Sequence, residues 1–213
     1  LTNAPTTQYA NLEDYGTVSF LTALTDVTRI NLVYKNSAGV GIGGENVDLT
    51  TANGAYTNIL TSNDALLHFG CFPANLRNWS TIFNGLVTAG TIQGGSIEIQ
   101  ALSLTTERSQ TYTIDLNCPN TKGYESIRLC WLNQWGAWDY YTFTKKSVKS
   151  INTNGSTYNQ LGGTWNESQY RIDSYKGGKK AFRVNSTESI LMNTGFVLES
   201  ENVMFEELIN SPE

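Results

Sequence analysis

The segment RINLVY at residues 29–34 places Ile30, Leu32 and Tyr34 at every second position. Because successive side chains of a β-strand point to opposite faces, this alternation predicts a strand with one buried face. The same period of two recurs in three further stretches, at residues 18–24, 97–101 and 112–116. Glycine and asparagine clusters separate such stretches and are typical of turns. The pattern predicts an all-β fold of sandwich-like antiparallel sheets.

A short C-terminal helix is expected to follow the strands. Apolar residues recur there at helical spacing, at Met204, Phe205, Leu208 and Ile209. Ser200 is the expected N-cap, and Pro212 fits a stop just beyond the helix. Residues 74–83 are expected to hold a further short turn of helix.

The chain of 213 residues carries 14 Lys and Arg against 19 Asp and Glu, which gives a net charge of −5. An acidic balance without basic runs disfavours nucleic acid as a partner, since a phosphate-binding surface is basic. No apolar run approaches the length of a membrane span. The chain begins at Leu1 rather than Met, so we expect a processed protein or a piece of a longer one.

Residues 117–123 read as a soft boundary, and four of the five Trp lie beyond it. The boundary predicts a β-rich N-terminal domain at 1–117 and a Trp-rich β domain with the C-terminal helix at 118–213. Whether these halves are separate domains or one continuous sandwich stays open at this point.

Two hairpins are expected in the second half. Residues 127–133 and 138–144 flank a four-residue loop, which would set Trp131 opposite Tyr140 and Cys130 opposite Tyr141. Residues 170–175 and 180–184 would pair around a three-residue loop at 177–179, which keeps one consistent buried face.

Motifs for catalysis or cofactor binding are weak throughout. The run at 39–44, GVGIGG, matches the dinucleotide fingerprint in letters, but no helix follows it, so we expect a β-loop. A zinc site from His68, Cys71, Cys118 and Cys130 lacks a second short-spaced ligand pair, and His68 fits a strand position. We therefore expect no catalytic residue, no cofactor and no metal, and a protein that is not an enzyme.

The densest aromatic cluster lies at residues 131–143. It fits either packing in a core or between subunits, or an aromatic platform that stacks on sugar rings. The interface candidates, in this cluster and the C-terminal helix, are Trp131, Trp135, Trp138, Tyr140, Tyr141, Met204, Phe205 and Leu208.

Charge is unevenly distributed along the second half. A possible basic face contains Lys145, Lys146, Lys149, Lys176, Lys179 and Lys180, whereas no Lys or Arg follows Arg183 and six Glu do. The lysines fit a solvated strand edge. Alternatively, the basic face of one copy meets the acidic tail of a neighbouring copy, as the complementary patches of a ring require.

The stretch RLCWLNQWGAWDYYTF at 128–143 resembles a hairpin motif of virion structural proteins from tailed bacteriophages, RLxWLNxxGxWDYYTF. Lys146-Ser147 and the segments 192–199 and 206–213 also resemble that family, so the resemblance covers roughly residues 65–213. Similar sequences often continue past the last motif, so we expect a truncated C-terminus.

The resemblance implies a virion component of the tail or baseplate and does not fix which ring, hub or fibre it belongs to. The expected partners are other virion proteins and, from the complementary charged patches, further copies of this chain in a homo-oligomeric ring. The resemblance supplies no catalytic residue. The main alternative is a module that binds a host surface glycan or a receptor through the aromatic cluster. A weaker alternative is a polysaccharide-degrading enzyme.

Overall fold

The computed structural model describes residues 2–23, 27–49, 64–116, 122–160, 168–169, 171 and 178–212. Strands dominate these residues, which confirms the all-β, sandwich-like fold with a short C-terminal helix. The strands are β1 (Thr7–Tyr9), β2 (Thr17–Ala23), β3 (Arg29–Lys35), β4 (Gly41–Asp48), β5 (Asp64–Gly70), β6 (Ser96–Ser103), β7 (Thr106–Glu107), β8 (Tyr112–Asp115), β9 (Ile127–Leu132), β10 (Trp138–Phe143), β11 (Val148–Gln160) and β12 (Gly178–Leu191). The helices are α1 (Pro73–Trp79), α2 (Thr81–Thr88) and α3 (Asn202–Asn210), with a 3-10 turn at Glu199–Glu201 before α3.

The largest sheet has the strand order β1-β8-β6-β3-β4, and the short strand β7 also pairs with β6. Its pairings are antiparallel apart from the parallel β1–β8 pair. Ile30, Leu32 and Tyr34 on β3 are fully buried, as their alternation predicts. Ile97 and Ile99 on β6 pair with Tyr34 and Leu32 and are equally buried.

A second sheet, β2 with β5, shares its core with the first sheet. Phe20 on β2 and Leu67 and Phe69 on β5 belong to the same buried cluster as the apolar residues of β3 and β6. The two sheets therefore enclose one hydrophobic core, which is the defining feature of a sandwich.

Helices α1 and α2 contribute Leu76 and Phe83 to this core. They overlap residues 74–83, where one short turn of helix was predicted, but there are two helices and the second continues to Thr88. Ser80 lies between the two helices and is the N-cap of α2, because its hydroxyl accepts a hydrogen bond from the Phe83 backbone amide at 2.9 Å. Such an N-cap satisfies an amide that the helix itself leaves without a partner.

A smaller core lies between the β9–β10 hairpin and α3. It contains Ala4, Trp131 and Met204, with Leu129, Tyr141, Phe205 and Leu208 packed around it. The apolar spacing of α3 is thus explained by burial of one face, while Ile209 remains 82% exposed. Ser200 is not the N-cap as predicted, because it lies inside the 3-10 turn and the helix begins after Glu201.

The β9–β10 register differs by one residue from the prediction. Asp139 faces Trp131, and Tyr140 faces Cys130. The predicted four-residue loop was wrong because Asn133 and Ala137 still pair, with the Asn133 amide donating to the Ala137 carbonyl at 2.8 Å. Gly136 adopts φ +73°, as the last residue of a three-residue hairpin loop does.

Residues 146–193 form a separate compact unit, whereas residues 1–145 and 194–213 form the other. These limits differ from the boundary expected at 117–123, of which residues 117–121 lie outside the described part of the chain. The small unit contains the two-stranded antiparallel ribbon of β11 and β12.

The ribbon corrects the second predicted hairpin. Residues 180–184 pair with β11, with Tyr158 opposite Lys180 and Gly155 opposite Val184. The predicted partner strand at 170–175 lies outside the described residues, apart from Arg171, which is in no strand. One bulge interrupts the ribbon between Ser156 and Thr157.

Candidate interaction surfaces

The β9–β10 turn is held by one side chain. The Asn133 carbonyl oxygen Oδ1 accepts bonds from the Trp135 amide at 3.0 Å and the Ala137 amide at 2.9 Å. Asn favours this role because its short side chain replaces a backbone acceptor in a turn. The turn presents Trp135 at its tip with 42% of its surface exposed.

The predicted interface aromatics divide between the two faces of the hairpin. Tyr140 packs against the main core, with its ring 5.3 Å from that of Phe72. Tyr141 lies on the other face, 5.0 Å from the ring of Phe205 on α3. The hairpin is thus enclosed on both sides within one chain.

This enclosure places several interface candidates in the interior. Trp131 and Met204 are fully buried and have no surface to offer another molecule. The candidates that pack around the two cores and are only partly buried are Tyr140, Tyr141, Phe205 and Leu208. Trp138 is likewise half-buried, so Trp135 is the candidate with the largest exposed surface.

Arg128 on β9 joins the hairpin to the main core. Its guanidinium lies 4.7 Å from the centre of the Phe72 ring and 5.0 Å from that of Tyr140. It also donates to the Thr142 hydroxyl at 3.2 Å and lies 3.7 Å from the Asp14 carboxylate. Burial lowers the pKa of Arg128, and Asp14 opposes that shift. These contacts make the guanidinium an internal anchor.

Asp139 is a buried carboxyl that ties the N-terminal segment to the hairpin. Its oxygens accept hydrogen bonds from the Thr2 hydroxyl at 2.5 Å and from the side-chain amide Nδ2 of Asn133 at 3.1 Å. Burial raises the pKa of Asp139, and these two hydrogen bonds counteract the effect. The carboxyl is enclosed by structural partners, which argues for a role in holding the hairpin.

A groove beside β10 is lined by three tyrosines, two of them from β10. Tyr9, Tyr140 and Tyr141 line a space of about 220 Å³ together with the polar side chains of Gln8, Thr142 and Glu201. Tyr9 is not among the predicted site residues, because the contact between β1 and β10 joins segments more than 100 residues apart and leaves no signal in the sequence. Tyrosine rings beside hydrogen-bonding groups can stack on a sugar and orient its hydroxyls.

A second groove separates α3 from the β9–β10 turn. It encloses about 290 Å³ and is lined by residues of both elements, among them Leu132, Gln134, Val203, Glu206 and Glu207. Glu207 accepts a bond from the Asn3 side chain at 2.8 Å on Oε1, and Gln134 lies beside the same carboxyl. Burial raises the pKa of this carboxyl. We refer to this space as the α3 groove.

The β11–β12 ribbon is the most exposed part of the described chain. All of its residues are exposed except Gln160 and Lys180, which are half-buried. The exposed side chains include seven large apolar ones, at Val148, Ile151, Tyr158, Phe182, Val184, Ile190 and Leu191. This surface was not predicted, because both faces of the ribbon mix apolar residues with Ser, Thr and Asn, so apolar and polar positions do not alternate clearly along its strands.

The weak chemical motifs take structural positions. Residues 41–44 of the glycine run begin β4 and only residues 39–40 precede it, so most of the run is a strand rather than the expected β-loop. A strand, not a helix, follows these glycines, which does not fit a dinucleotide fingerprint. His68 lies on β5 with Nδ1 2.7 Å from the Ser19 hydroxyl. Within the described residues no group of three or more His, Cys, Asp or Glu is placed to hold a metal ion, and Cys118 lies outside them.

The cysteines differ in environment. Cys71 is fully buried, as a cysteine that packs as a small apolar residue often is, whereas Cys130 is exposed. Burial raises the pKa of the Cys71 thiol, so this cysteine is not an activated nucleophile. A search of the described helices finds none long and apolar enough to cross a membrane.

Comparisons with protein-family models, with curated proteins and with solved structures give no match for this chain.

Proposed function

We propose that the chain is a non-enzymatic structural subunit of a tailed-bacteriophage virion, in the tail or baseplate, that assembles with other virion subunits. The hairpin motif at 128–143 supports the phage assignment by resemblance. The single observation that carries the structural role is the exposed β11–β12 ribbon with its uncovered apolar side chains.

The energetics of the ribbon support a partner. An isolated two-stranded ribbon is at best marginally stable in water, because ordering each residue costs about 1–2 kcal/mol of conformational entropy. Burial of large apolar side chains offsets such a cost at about 1.5–3 kcal/mol for each one fully covered. Phe182 is 78% exposed and Leu191 is 72% exposed, so most of the free energy that burial of these side chains would supply is not gained within the chain. A subunit that is covered by its neighbours in a particle supplies the missing contacts.

Edge strands lead to the same proposal. Each strand of a two-stranded ribbon has one edge whose amides and carbonyls are unpaired, and such an edge readily adds another strand. A protein that acts alone usually protects these edges, whereas a building block uses them. The length of β11, 13 residues, corresponds to about 44 Å at about 3.4 Å per residue.

The test of this proposal is mass spectrometry of purified particles from the phage that encodes the chain. We expect the chain in purified particles at a fixed copy number relative to the major virion proteins. Its presence in the infected-cell lysate together with its absence from the particles would overturn the proposal.

A second candidate function is glycan binding at the groove lined by Tyr9, Tyr140 and Tyr141. The specific observation in its favour is one concave space that three tyrosines and several polar residues line. Calorimetric titration with host polysaccharide should then give a binding signal that Tyr9→Ala abolishes. Tyr124→Ala, which changes an exposed tyrosine outside the groove, is the matched control. Equal or absent binding in all three proteins would exclude this candidate.

A further inference from the structure

Charge divides between the two compact units of the chain. Residues 146–193 contain seven of the 14 Lys and Arg but only three of the 19 Asp and Glu, which gives this unit a net charge of +4. The rest of the chain keeps seven basic and 16 acidic residues and has a net charge of −9. Two units of opposite sign on one chain attract each other between copies.

The ribbon concentrates positive charge beside its most exposed aromatic residue. Lys180 and Arg183 lie on either side of Phe182 along β12 and share one face of the ribbon, because they pair with Tyr158 and Ser156. Phe182 and Val184 are exposed at 78% and 61%. Phe182 is the bulged residue, because Ala181 pairs with Thr157 and Arg183 pairs with Ser156, which leaves Phe182 without a direct partner on β11. An exposed aromatic ring between cations is typical of a contact that anchors in an apolar space and meets acidic groups at its rim.

The α3 groove offers the complementary chemistry. Val203 and Leu132 give it apolar surface, and Glu206 and Glu207 give it negative charge. Its volume of about 290 Å³ exceeds the roughly 150 Å³ of an engineered cavity that holds benzene. Glu206 is exposed at the groove, whereas Glu207 is half-buried and accepts a bond from the Asn3 side chain at 2.8 Å.

We infer that the β11–β12 ribbon of one copy docks on the α3 groove of a second copy, with Phe182 in the groove and Lys180 and Arg183 at Glu206 and Glu207. A second copy is the favoured occupant because the chain itself carries both members of the complementary pair. Contact between two different patches is heterologous, so it continues from copy to copy and closes into a ring when the rotation allows. This inference rests on the proposed structural role and names the partner and the surfaces through which that role is performed.

The test is a charge-reversal exchange with the full chain, followed by light scattering after size-exclusion chromatography. The ribbon variant is Lys180→Glu with Arg183→Glu, and the groove variant is Glu206→Lys with Glu207→Lys. The matched control is Arg108→Glu with Lys122→Glu, which makes the same change in net charge outside the ribbon. Circular dichroism establishes that each variant is folded, and Glu206→Lys alone replaces the groove variant if the loss of the Asn3 contact unfolds it.

We expect the wild-type chain and the control to associate at about 0.05 M salt and to dissociate near 0.5 M, where the screening length becomes shorter. Each reversed variant alone should associate at least tenfold more weakly. An equimolar mixture of the two should associate again, since each ribbon then meets a groove of opposite charge.

Two results would overturn the docking. One is a wild-type chain that stays monomeric at every concentration, and the other is a mixture that associates no better than either variant alone. Both leave the chain free to be a virion component with another partner, which particle mass spectrometry decides independently. Failure of the docking and failure of the proposed function are therefore distinguishable.

Discussion

Removal of the Arg128 guanidinium should loosen the β9–β10 hairpin from the main core. The guanidinium lies over Phe72 and Tyr140 at 4.7 and 5.0 Å and donates to Thr142 at 3.2 Å. A partly desolvated cation over an aromatic ring contributes about 1–2 kcal/mol, and a hydrogen bond from a charged donor adds about 1.5–3 kcal/mol. Since these terms overlap, we expect Arg128→Ala to lower the free energy of unfolding by about 3 kcal/mol.

A conservative variant separates charge from geometry. Arg128→Lys keeps a cation but loses the planar group that stacks on Phe72 and Tyr140, so we expect a loss of about 1–2 kcal/mol. The assay is urea unfolding followed by tryptophan fluorescence, because Trp131 and Trp138 lie in the hairpin and report directly on it.

Arg77 provides the control. Its ion pair with Glu13 has an N–O distance of 2.5 Å, shorter than the 3.7 Å between Arg128 and Asp14, but Glu13 is 82% exposed. Exposed ion pairs contribute about 0–1 kcal/mol, so Arg77→Ala should cost less than about 1 kcal/mol despite the shorter distance. If Arg77→Ala destabilises the chain as much as Arg128→Ala, the reasoning from burial and ring contact is wrong.

Three further variants test the hairpin and its core. Asp139→Asn removes a carboxyl whose pKa is raised above 3.8 in the folded chain, so the wild type should lose stability relative to the variant as pH rises from about 4 through that raised pKa; a constant difference across this range, measured by urea unfolding, refutes the assignment. Gly136→Ala should cost about 1 kcal/mol because φ is +73°, whereas the control Gly85→Ala on α2 should stabilise by about 0.5–1 kcal/mol, and thermal unfolding should show midpoint shifts of opposite sign. Trp131→Ala should cost about 3–5 kcal/mol through the cavity it leaves, and Trp131→Phe clearly less, since Nε1 of Trp131 is buried and has no hydrogen-bond partner among the described residues; equal losses in chemical unfolding would contradict this ranking.

The central sheet was predictable because apolar and other residues alternate along a strand that buries one face. On β3, one face meets the core and the other does not, so Ile30, Leu32 and Tyr34 stand out from Asn31 and Val33. The ribbon carries no such signal, because both of its faces are exposed within the chain. Period-two reasoning detects a strand by the core it contacts, and β11 and β12 have little core to contact.

The hairpin shows how a single turn residue shifts a prediction. A four-residue loop places Trp131 opposite Tyr140, whereas the Asn133–Ala137 pair with Gly136 at positive φ shortens the loop and moves every pairing by one. The spacing of the glycine within the turn was the available signal, since a three-residue loop favours glycine at its last position.

The candidate surfaces depend on long-range pairing that a sequence does not display. Trp131 and Met204 look like exposed contact residues until α3 covers the hairpin, and Tyr9 joins Tyr140 only through the contact between β1 and β10. The aromatic cluster was therefore identified correctly as unusual, but its division between interior and surface required the fold.

Hydrogen–deuterium exchange across the β11–β12 ribbon tests most directly whether the chain is a building block whose ribbon is covered by a neighbour. The measurement compares amides of residues 148–160 and 178–191 in dilute chain with the same amides in assembled particles. We predict that their exchange slows at least tenfold on assembly, while amides of β3, already in a complete core, change little. Ribbon amides that exchange equally fast in the dilute chain and in the particle would contradict the account.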